Sequence, residues 1–599
     1  MTITNINNFR GWLSLIQSSN LEDNQFEVLN NMFYNKDKRL QTRRGIKNFW
    51  NSIWSSPITS YFFYKNDTTW VTMALCSAWT NMYKYDESTW DWNSIKSWLS
   101  EFEADWITRT RRSFAVYLNK VYMCNGVDCY SEYDWTTYNQ LWLSSVGTCT
   151  FDYTTDIITK ATHWLSNWDS IFFSSTWTLP DWITSGKFYY VITSTTNTFQ
   201  LSLTPSWQAL NFADNWTGTH SCFKTSQPRV RYLRYMADSI YWSWADLTPN
   251  TIYATQAWAS NWQVLNYDDY DIWADELWRV NWILDLWNLI LAFKNKKIYS
   301  ISWDLSSSQA IDSQNGWYCH RSLRNVENAI MYYSDSWIDR VRQRNWTTWA
   351  SALYSEWLSD DLKILIDKIT PNQRNNSAWY YNTVNNNYYF SFDTWNDWVP
   401  DTTLVYSSLV GKWSQYTIPP AYDYWLYLDE DWVEHILIAS ASWWQMFEIE
   451  TWFTDFDLAI ETELKTKQWD FWDVGSWKTF DLVDISWYKN EWSEITIEII
   501  IDWVVVISSI LNDDYININS SVLTIWSYPI WSYSIWWWSS SWSDIDLFRY
   551  LIRIPMYSSW NNIQVRMYSN YNPNVWTLDQ IRISRENEVI DMFPIANIS

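Results

Sequence analysis

The stretch Ile495-Thr-Ile-Glu-Ile-Ile-Ile-Asp-Trp-Val-Val-Val-Ile-Ser-Ser-Ile-Leu511 decides the fold. It is the most apolar run of the chain, yet Glu498 and Asp502 interrupt it and β-branched residues dominate it. A membrane helix needs about twenty apolar residues with few or no charges, whereas β-branched side chains suit a pleated surface. The run therefore predicts two strands joined at Asp502-Trp503, with no membrane insertion. A tight hairpin needs positive φ in its loop, and the usual solution is Asn-Gly or Asp-Gly. Here tryptophan stands where glycine is wanted.

The same exchange recurs along the chain. Tryptophan follows aspartate or asparagine at Asp134-Trp135, Asn215-Trp216, Asn261-Trp262, Asn345-Trp346 and Asp431-Trp432, each near a strand-like run. It also occupies polar turn contexts at Thr69-Trp70 and Ser336-Trp337. The chain holds 54 tryptophans and only 9 glycines, although glycine averages about 7% of residues. A Cβ-bearing indole tolerates positive φ poorly. The expectation is that most of these tryptophans are glycines in the natural chain, from a genome that reads UGA as glycine. Under that reading Trp536-Trp537-Trp538 in SYSIWWWSSSWSD becomes a Gly/Ser loop. Trp413 in VGKWSQYTIPP, after a retained Gly411, is expected to be authentic, with Trp92 and Trp576 as companions. The competing reading is a tryptophan-rich protein with aromatic platforms for sugars. Such platforms would sit on strand faces, not in polar turns.

Length and charge narrow the class. At 599 residues the chain is long enough for several cores. A net charge of −24 and a pI near 4.5 disfavour nucleic-acid binding, which draws on surplus Lys and Arg. The short basic clusters Lys38-Arg39 and Arg43-Arg44 read as solvated surface. The opening MTITNINNFR shows no basic segment ahead of an apolar one, so no secretory signal is expected. Six cysteines, Cys76, Cys124, Cys129, Cys149, Cys222 and Cys319, show no CxxC pair or zinc spacing and read as free and mostly buried. Cys149 and Cys222 flank one candidate domain and could meet there.

With turn tryptophans read as glycine, the chain resolves into short alternating strands, an all-β protein. Residues 1–55 form an N-terminal arm, in which Leu21 to Asn31 suggests a short helix capped by Asn20. From residue 56 strands come in groups resembling propeller blades, about six or seven in all, within the roughly four to eight that propellers use. The propeller is expected over 56–147 and 227–454, interrupted at 148–226 by a small β-domain. Long insertions at surface loops cost little entropy. Near Asp360 the segment SDDLKILIDKIT has helical spacing. Residues 455–599 carry longer strands and read as a jelly-roll-like β-sandwich.

Chemical motifs are sparse. His163, His220, His320 and His435 lie far apart, without a serine, cysteine or carboxylate at a recognisable spacing, so a catalytic triad finds no support. No Walker-type loop appears even after recoding. Recoded, residues 393–401 become DTGNDGVPD, and Asp393, Asn396, Asp397 and Asp401 are candidate calcium ligands. The preferred reading is a polar hairpin loop, since no bidentate glutamate lies nearby. The segment YDESTWDW approaches the aspartate-box turn of sialidase-like propellers, with serine and aspartate in the wrong order, and reads as an ordinary blade turn.

Several segments together resemble tailed-phage structural proteins. The opening, with Gly11, Trp12 read as glycine, Asp23, Glu27, Asn30, Leu40, Arg43 and Gly45, is similar to the start of that family before its propeller. YLNKVYMCNGVDCYSEYDW, with Leu118, Asn119, Lys120, Tyr122, Asn125, Gly126, Tyr133 and Asp134, resembles a blade hairpin of the family. Asn197, Thr198, Phe199 and Leu201 lie in a segment like a small repeat domain of phage tail proteins. LAFKNKKIYSI, GKWSQYTIPP and ETELKTKQWDFWD look like the last blades and the passage into the C-terminal sandwich. The resemblance covers most of the chain, and the family departs from it chiefly in having glycine where this chain has tryptophan. Some bacterial lineages and their viruses recode UGA, which would explain that departure.

The resemblance implies a non-enzymatic virion protein of the tail or head–tail junction, assembled in the host cytoplasm, without cofactor or metal. Its implied partners are other virion proteins, held by shape-complementary patches in a symmetric ring. Two other classes stay open: a tail-tip protein that binds or degrades host glycans with paired carboxylates, and a cellular surface protein, which should carry an export signal.

Overall fold

The computed structural model describes most of residues 26–591, with 144–213 as the longest unbroken run; the main segments left out are 1–25, 50–57, 102–109, 256–266, 273–279, 312–323, 344–352, 469–477, 520–547 and 592–599. Strands dominate it. Ile495–Ile501 and Val504–Leu511 pair antiparallel with Ile501 opposite Val504, so Asp502 and Trp503 alone form the loop. Their φ angles are 44° and 70°, the left-handed pair that a right-twisted two-residue hairpin demands.

Seven antiparallel units succeed one another among the described residues: six of four consecutive strands, at 58–96, 113–140, 232–271, 280–310, 324–357 and 378–416, the last continuous with a ten-stranded sheet, and one of three consecutive strands at 421–449. The middle strands Ala329–Tyr333, Ser239–Ser243 and Asn387–Phe392 are buried throughout, as expected of strands packed on both faces.

Aromatic contacts link each unit to the next. Phe62 stacks on Phe114 with centroids 5.1 Å apart, and Tyr117 meets Tyr235 at 6.1 Å. Tyr232 meets Trp282 at 4.7 Å, Phe293 meets Tyr332 at 5.6 Å, and Tyr333 meets Phe390 at 5.5 Å. Tyr380 stacks on Tyr424 at 6.3 Å, and Trp425 of the seventh unit returns to Phe62 of the first at 5.3 Å. Each such pair contributes roughly 0.5–1.5 kcal/mol beyond the area it buries.

Between the second and third units lies a closed six-stranded barrel running from Ser144 to Lys224. Its interior holds Phe151, Ile158, Phe173, Tyr189, Val191, Phe199 and Leu201. It is pinned to the second unit by an antiparallel bridge of Asp128 with Lys187 and by bonds from Cys129 N to Gly186 O (2.6 Å) and Phe188 N to Val127 O (2.8 Å).

The C-terminal strands fall into two sheets that share one core, with Val483, Ile485 and Trp487 of one beside Ile497, Ile499, Val565 and Met567 of the other. The N-terminal arm is woven into this region. Phe26–Asn30 lies between Lys412–Tyr416 of the sixth unit and Thr462–Thr466 of the C-terminal region. Leu40–Thr42 pairs with Trp576–Arg585, and Ile46–Asn48 supplies the fourth strand of the seventh unit. A segment of the arm thus contributes to three sheets.

Two local expectations need correction, the solvated Arg43, which is 1% exposed, and the helix of the arm, whereas the helix near Asp360 is present as a short one. Of the helix suggested over Leu21 to Asn31, residues 26–30 form a strand, because Phe26 and Leu29 are buried and its backbone groups pair on both sides; residues 20–25 lie outside the described part. The helical spacing near Asp360 yields one α-helical turn, Lys363–Ile366, with Leu362, Ile366 and Ile369 buried.

Candidate functional site

The most constrained polar site lies where the N-terminal arm crosses the start of the C-terminal region. Arg43 is 1% exposed and reaches both carboxylate oxygens of Asp455, one at 2.8 Å. Its Nε donates to Asn31 Oδ1 at 2.8 Å, and its Nη1 also donates to Arg44 O at 2.9 Å. Asn31 is itself fully buried at φ 56°, a left-handed angle that asparagine bears better than most residues. Its Oδ1 also accepts from Thr417 N at 2.8 Å, and its Nδ2 donates to Thr417 Oγ1 at 2.6 Å and Glu461 O at 2.5 Å. Two residues of one short segment therefore hold the sixth unit and the start of the C-terminal region together. Such charge-assisted, two-pronged bonds fix orientation as well as supply energy.

Gly45 completes the clamp. A Cβ there would lie 1.8 Å from Thr454 O, so only glycine lets the two backbones approach. Ile46 N donates to Thr454 O at 3.1 Å and Thr451 N donates to Gly45 O at 3.2 Å. Beside this crossing is a cleft of about 510 Å³ lined by Ile46, Lys47, Asn48, Glu448, Thr451, Thr454 and Phe456. Glu448 accepts from Lys47 Nζ at 3.0 Å and lies 2.7 Å from His435 Nδ1. Glu450, at φ 61°, accepts from Tyr389 Oη and from Asn385 Nδ2 at 3.0 Å. Burial raises its carboxyl above the ordinary glutamate range, against the opposing pull of Tyr389, Arg44 and Arg43.

A second buried ionic site joins the barrel to the units. Asp128, 3% exposed, accepts from Arg112 Nη2 at 2.6 Å, Asn125 Nδ2 at 3.0 Å and Ser100 N at 3.1 Å. Asn125 Oδ1 in turn accepts from Val127 N and Asp128 N. Arg229 donates to Leu203 O at 2.7 Å and to Gly126 O, so a residue in the connection from the barrel to the third unit grips both the barrel and the second unit. Burial lowers the Lys187 ammonium below its usual value, although nearby Asp128 opposes the shift.

The other singled-out residues have local roles. Asp401 accepts from Thr394 N, Thr394 Oγ1 and Trp395 N, each at 2.9 Å, so the turn's own donors occupy it. Asp397 accepts from Val399 N at 3.0 Å, Asp393 is buried, and Asn396 lies outside the described residues. Among the described residues no group of three or more His, Cys, Asp or Glu is placed to hold a metal ion. His163 accepts from Leu165 N at 3.3 Å, and His320 lies outside the described part, as does Cys319. Two histidine partners escaped sequence reasoning, Glu448 for His435 and Ser175 Oγ, 3.0 Å from His220 Nδ1. Both face their histidines across paired strands, a relation that linear spacing does not display. Cys76, Cys124, Cys129, Cys149 and Cys222 are free and buried; Cys149 lies opposite His220 and Cys222 opposite Gly147.

These sites hold backbones and domains together, and their carboxylates are occupied by donors from the chain itself. No family model and no curated protein matches the chain. Among solved structures it is similar to the extracellular domain of a hybrid two component system from B. thetaiotaomicron, with TM-score 0.26 and 8% identity over 76% of this chain and 45% of that one. The chain thus spans about half the length of that structure. It is also similar to Hsv2p of Kluyveromyces lactis, with TM-score 0.25 and 9% identity over 60% and 96% of the two chains. The Neurospora crassa Pan2 WD40 domain gives TM-score 0.24 and 6% identity over 68% and 94%. At this level of likeness, fold and role rest on the chain's own residues.

Proposed function

We propose that this chain is a non-enzymatic structural protein of a tailed-phage virion, acting in the tail or at the head–tail junction through protein contacts. Its body is a seven-bladed β-propeller closed by Ile46–Asn48, carrying an inserted barrel and a C-terminal jelly-roll-like sandwich. The observation that supports this role most is the use made of the residues carrying the family resemblance. Arg43 and Gly45 clamp the arm to the start of the C-terminal region, Leu118 and Asn119 form a left-handed hairpin loop at φ 50° and 60°, and Asn125 and Gly126 build the barrel junction. Residues spent on architecture suit a rigid disc that presents loops to neighbouring subunits.

A second reading, a tail-tip protein that binds host glycan, draws on the barrel's exposed indoles. Trp177 and Trp207 are 76% and 62% exposed, and Lys224 lies 4.8 Å from the centroid of Trp164. Mass spectrometry of purified particles from the source, with copy number from cryo-electron microscopy, tests the first reading. Stoichiometric presence at a fixed position in the tail or connector is expected. Absence from particles would refute it.

A further inference from the structure

Backbone conformation and burial pick out two groups of tryptophans among the described residues. Among the described residues, seventeen non-glycine positions have positive φ, and six of them are tryptophan: Trp79 at 52°, Trp98 at 65°, Trp135 at 79°, Trp168 at 76°, Trp182 at 75° and Trp503 at 70°. Asparagine and aspartate supply five of the others, as their short polar side chains lead one to expect. A bulky aromatic residue has no such local compensation, and positive φ is a true outlier for it. Four of the six follow Asn or Asp, at Asp134, Asn167, Asp181 and Asp502. Trp79 begins the two-residue loop between the paired residues Ala78 and Asn81, the position that a II′ turn reserves for glycine. Trp98 and Trp503 are also 79% and 69% exposed.

The second group lies buried in strands. Trp413 is 2% exposed and its Nε1 donates to Leu358 O at 2.9 Å; Trp576 is fully buried and its Nε1 donates to Thr462 Oγ1 at 3.1 Å. A buried indole whose N–H has an acceptor is what authentic tryptophan looks like.

We infer that positions 79, 98, 135, 168, 182 and 503 are glycine in the natural protein, whereas Trp413 and Trp576 are tryptophan. The inference rests on the UGA-recoding reading but not on a virion role. It bears on function because the barrel's aromatic surface then loses Trp168 and Trp182, and Trp168 packs edge-on against Trp207 with centroids 4.8 Å apart. The glycan-platform reading weakens accordingly.

Tandem mass spectrometry of the protein from its natural source, from particles and from infected cells separately, tests it. Peptides spanning the six positions should carry glycine, and those spanning 413 and 576 tryptophan. Tryptophan at the six positions would overturn the inference. Glycine there in cell fractions, with no peptides from particles, would sink the virion role and leave this inference standing. Recombinant full-length chain gives a second readout. Trp503→Gly should raise the thermal midpoint or slow exchange of the Ile495–Leu511 amides, whereas Trp413→Gly should lower the midpoint. A Trp503→Gly chain less stable than its parent would count against the assignment.

Discussion

Replacing Arg43 by methionine should open the crossing of the N-terminal arm and the start of the C-terminal region while leaving the inserted barrel intact. The guanidinium is 1% exposed and makes bonds to Asp455, Asn31 and Arg44, so its removal strands a carboxylate and two other acceptors. Breaking a buried ion pair costs about 3–5 kcal/mol. Asp455 keeps 20% of its surface in water and Asn31 Oδ1 still accepts from Thr417, which places the cost near the lower end, about 3 kcal/mol. Asp455→Asn should cost about 2 kcal/mol, because it leaves a buried cation with neutral acceptors only. The double variant should cost less than the sum, with a coupling of roughly 2 kcal/mol. A chain with several cores does not unfold in two states, so hydrogen exchange resolved by peptide is the right assay. A loss of 3 kcal/mol corresponds to roughly 100-fold faster exchange of the Ile46–Asn48 amides if local opening governs them. Amides of Ser170–Ser175 in the barrel should be unaffected. Strict additivity of the two substitutions, or unchanged protection at Ile46–Asn48, would refute the view that this pair holds the arm to the start of the C-terminal region.

Gly45→Ala should be as damaging as Arg43→Met, since its Cβ would meet Thr454 O at 1.8 Å, and overpacking against backbone costs on the order of 3 kcal/mol; limited proteolysis of the arm should show faster cleavage. Glu450 has a raised pKa, so its contribution to stability is complete below the ordinary glutamate value of 4.5 and is lost as pH rises through the raised one. Glu450→Gln should therefore flatten the fall in stability from acid towards neutral pH, read from thermal midpoints at a series of pH values, and an unchanged profile would contradict the assignment. Asp401→Ala should destabilise its loop by about 1–2 kcal/mol through loss of the Thr394 and Trp395 bonds. Calcium or a chelator should leave the midpoint of the parent chain unchanged, and a calcium-dependent rise would revive the ion-site reading of Asp393, Asn396, Asp397 and Asp401.

Much of the architecture was legible in particular residues. The alternation in NYYFSFD and EHILIASA, punctuated by polar turns, marks strands because side chains of a strand point alternately to opposite faces. Asp502-Trp503 marks a hairpin because the β-branched runs on either side leave no other use for two residues between them. Phe26–Asn30 was misread, since acidic residues ahead of an apolar pattern suit a helix start locally, and only pairing with Lys412–Tyr416 and Thr462–Thr466 decides otherwise. The candidate site was half visible. Arg43 and Gly45 stood out through the resemblance, but Asp455 lies 412 residues from Arg43 and nothing in local pattern joins them.

The sequence alone determined the class of structure: short strands in hairpins, an interruption near residue 148, longer strands beyond 455, and tryptophan standing in glycine-like turn contexts. These are local properties, written in periodicity and turn chemistry. Only the tertiary structure decided where the N-terminal arm goes. Three short strands of one arm pair with partners hundreds of residues away, and a buried Arg43 finds its carboxylate across the same distance. Backbone hydrogen bonding is nearly indifferent to side-chain identity, so the choice of partner strand depends on how all the other surfaces pack.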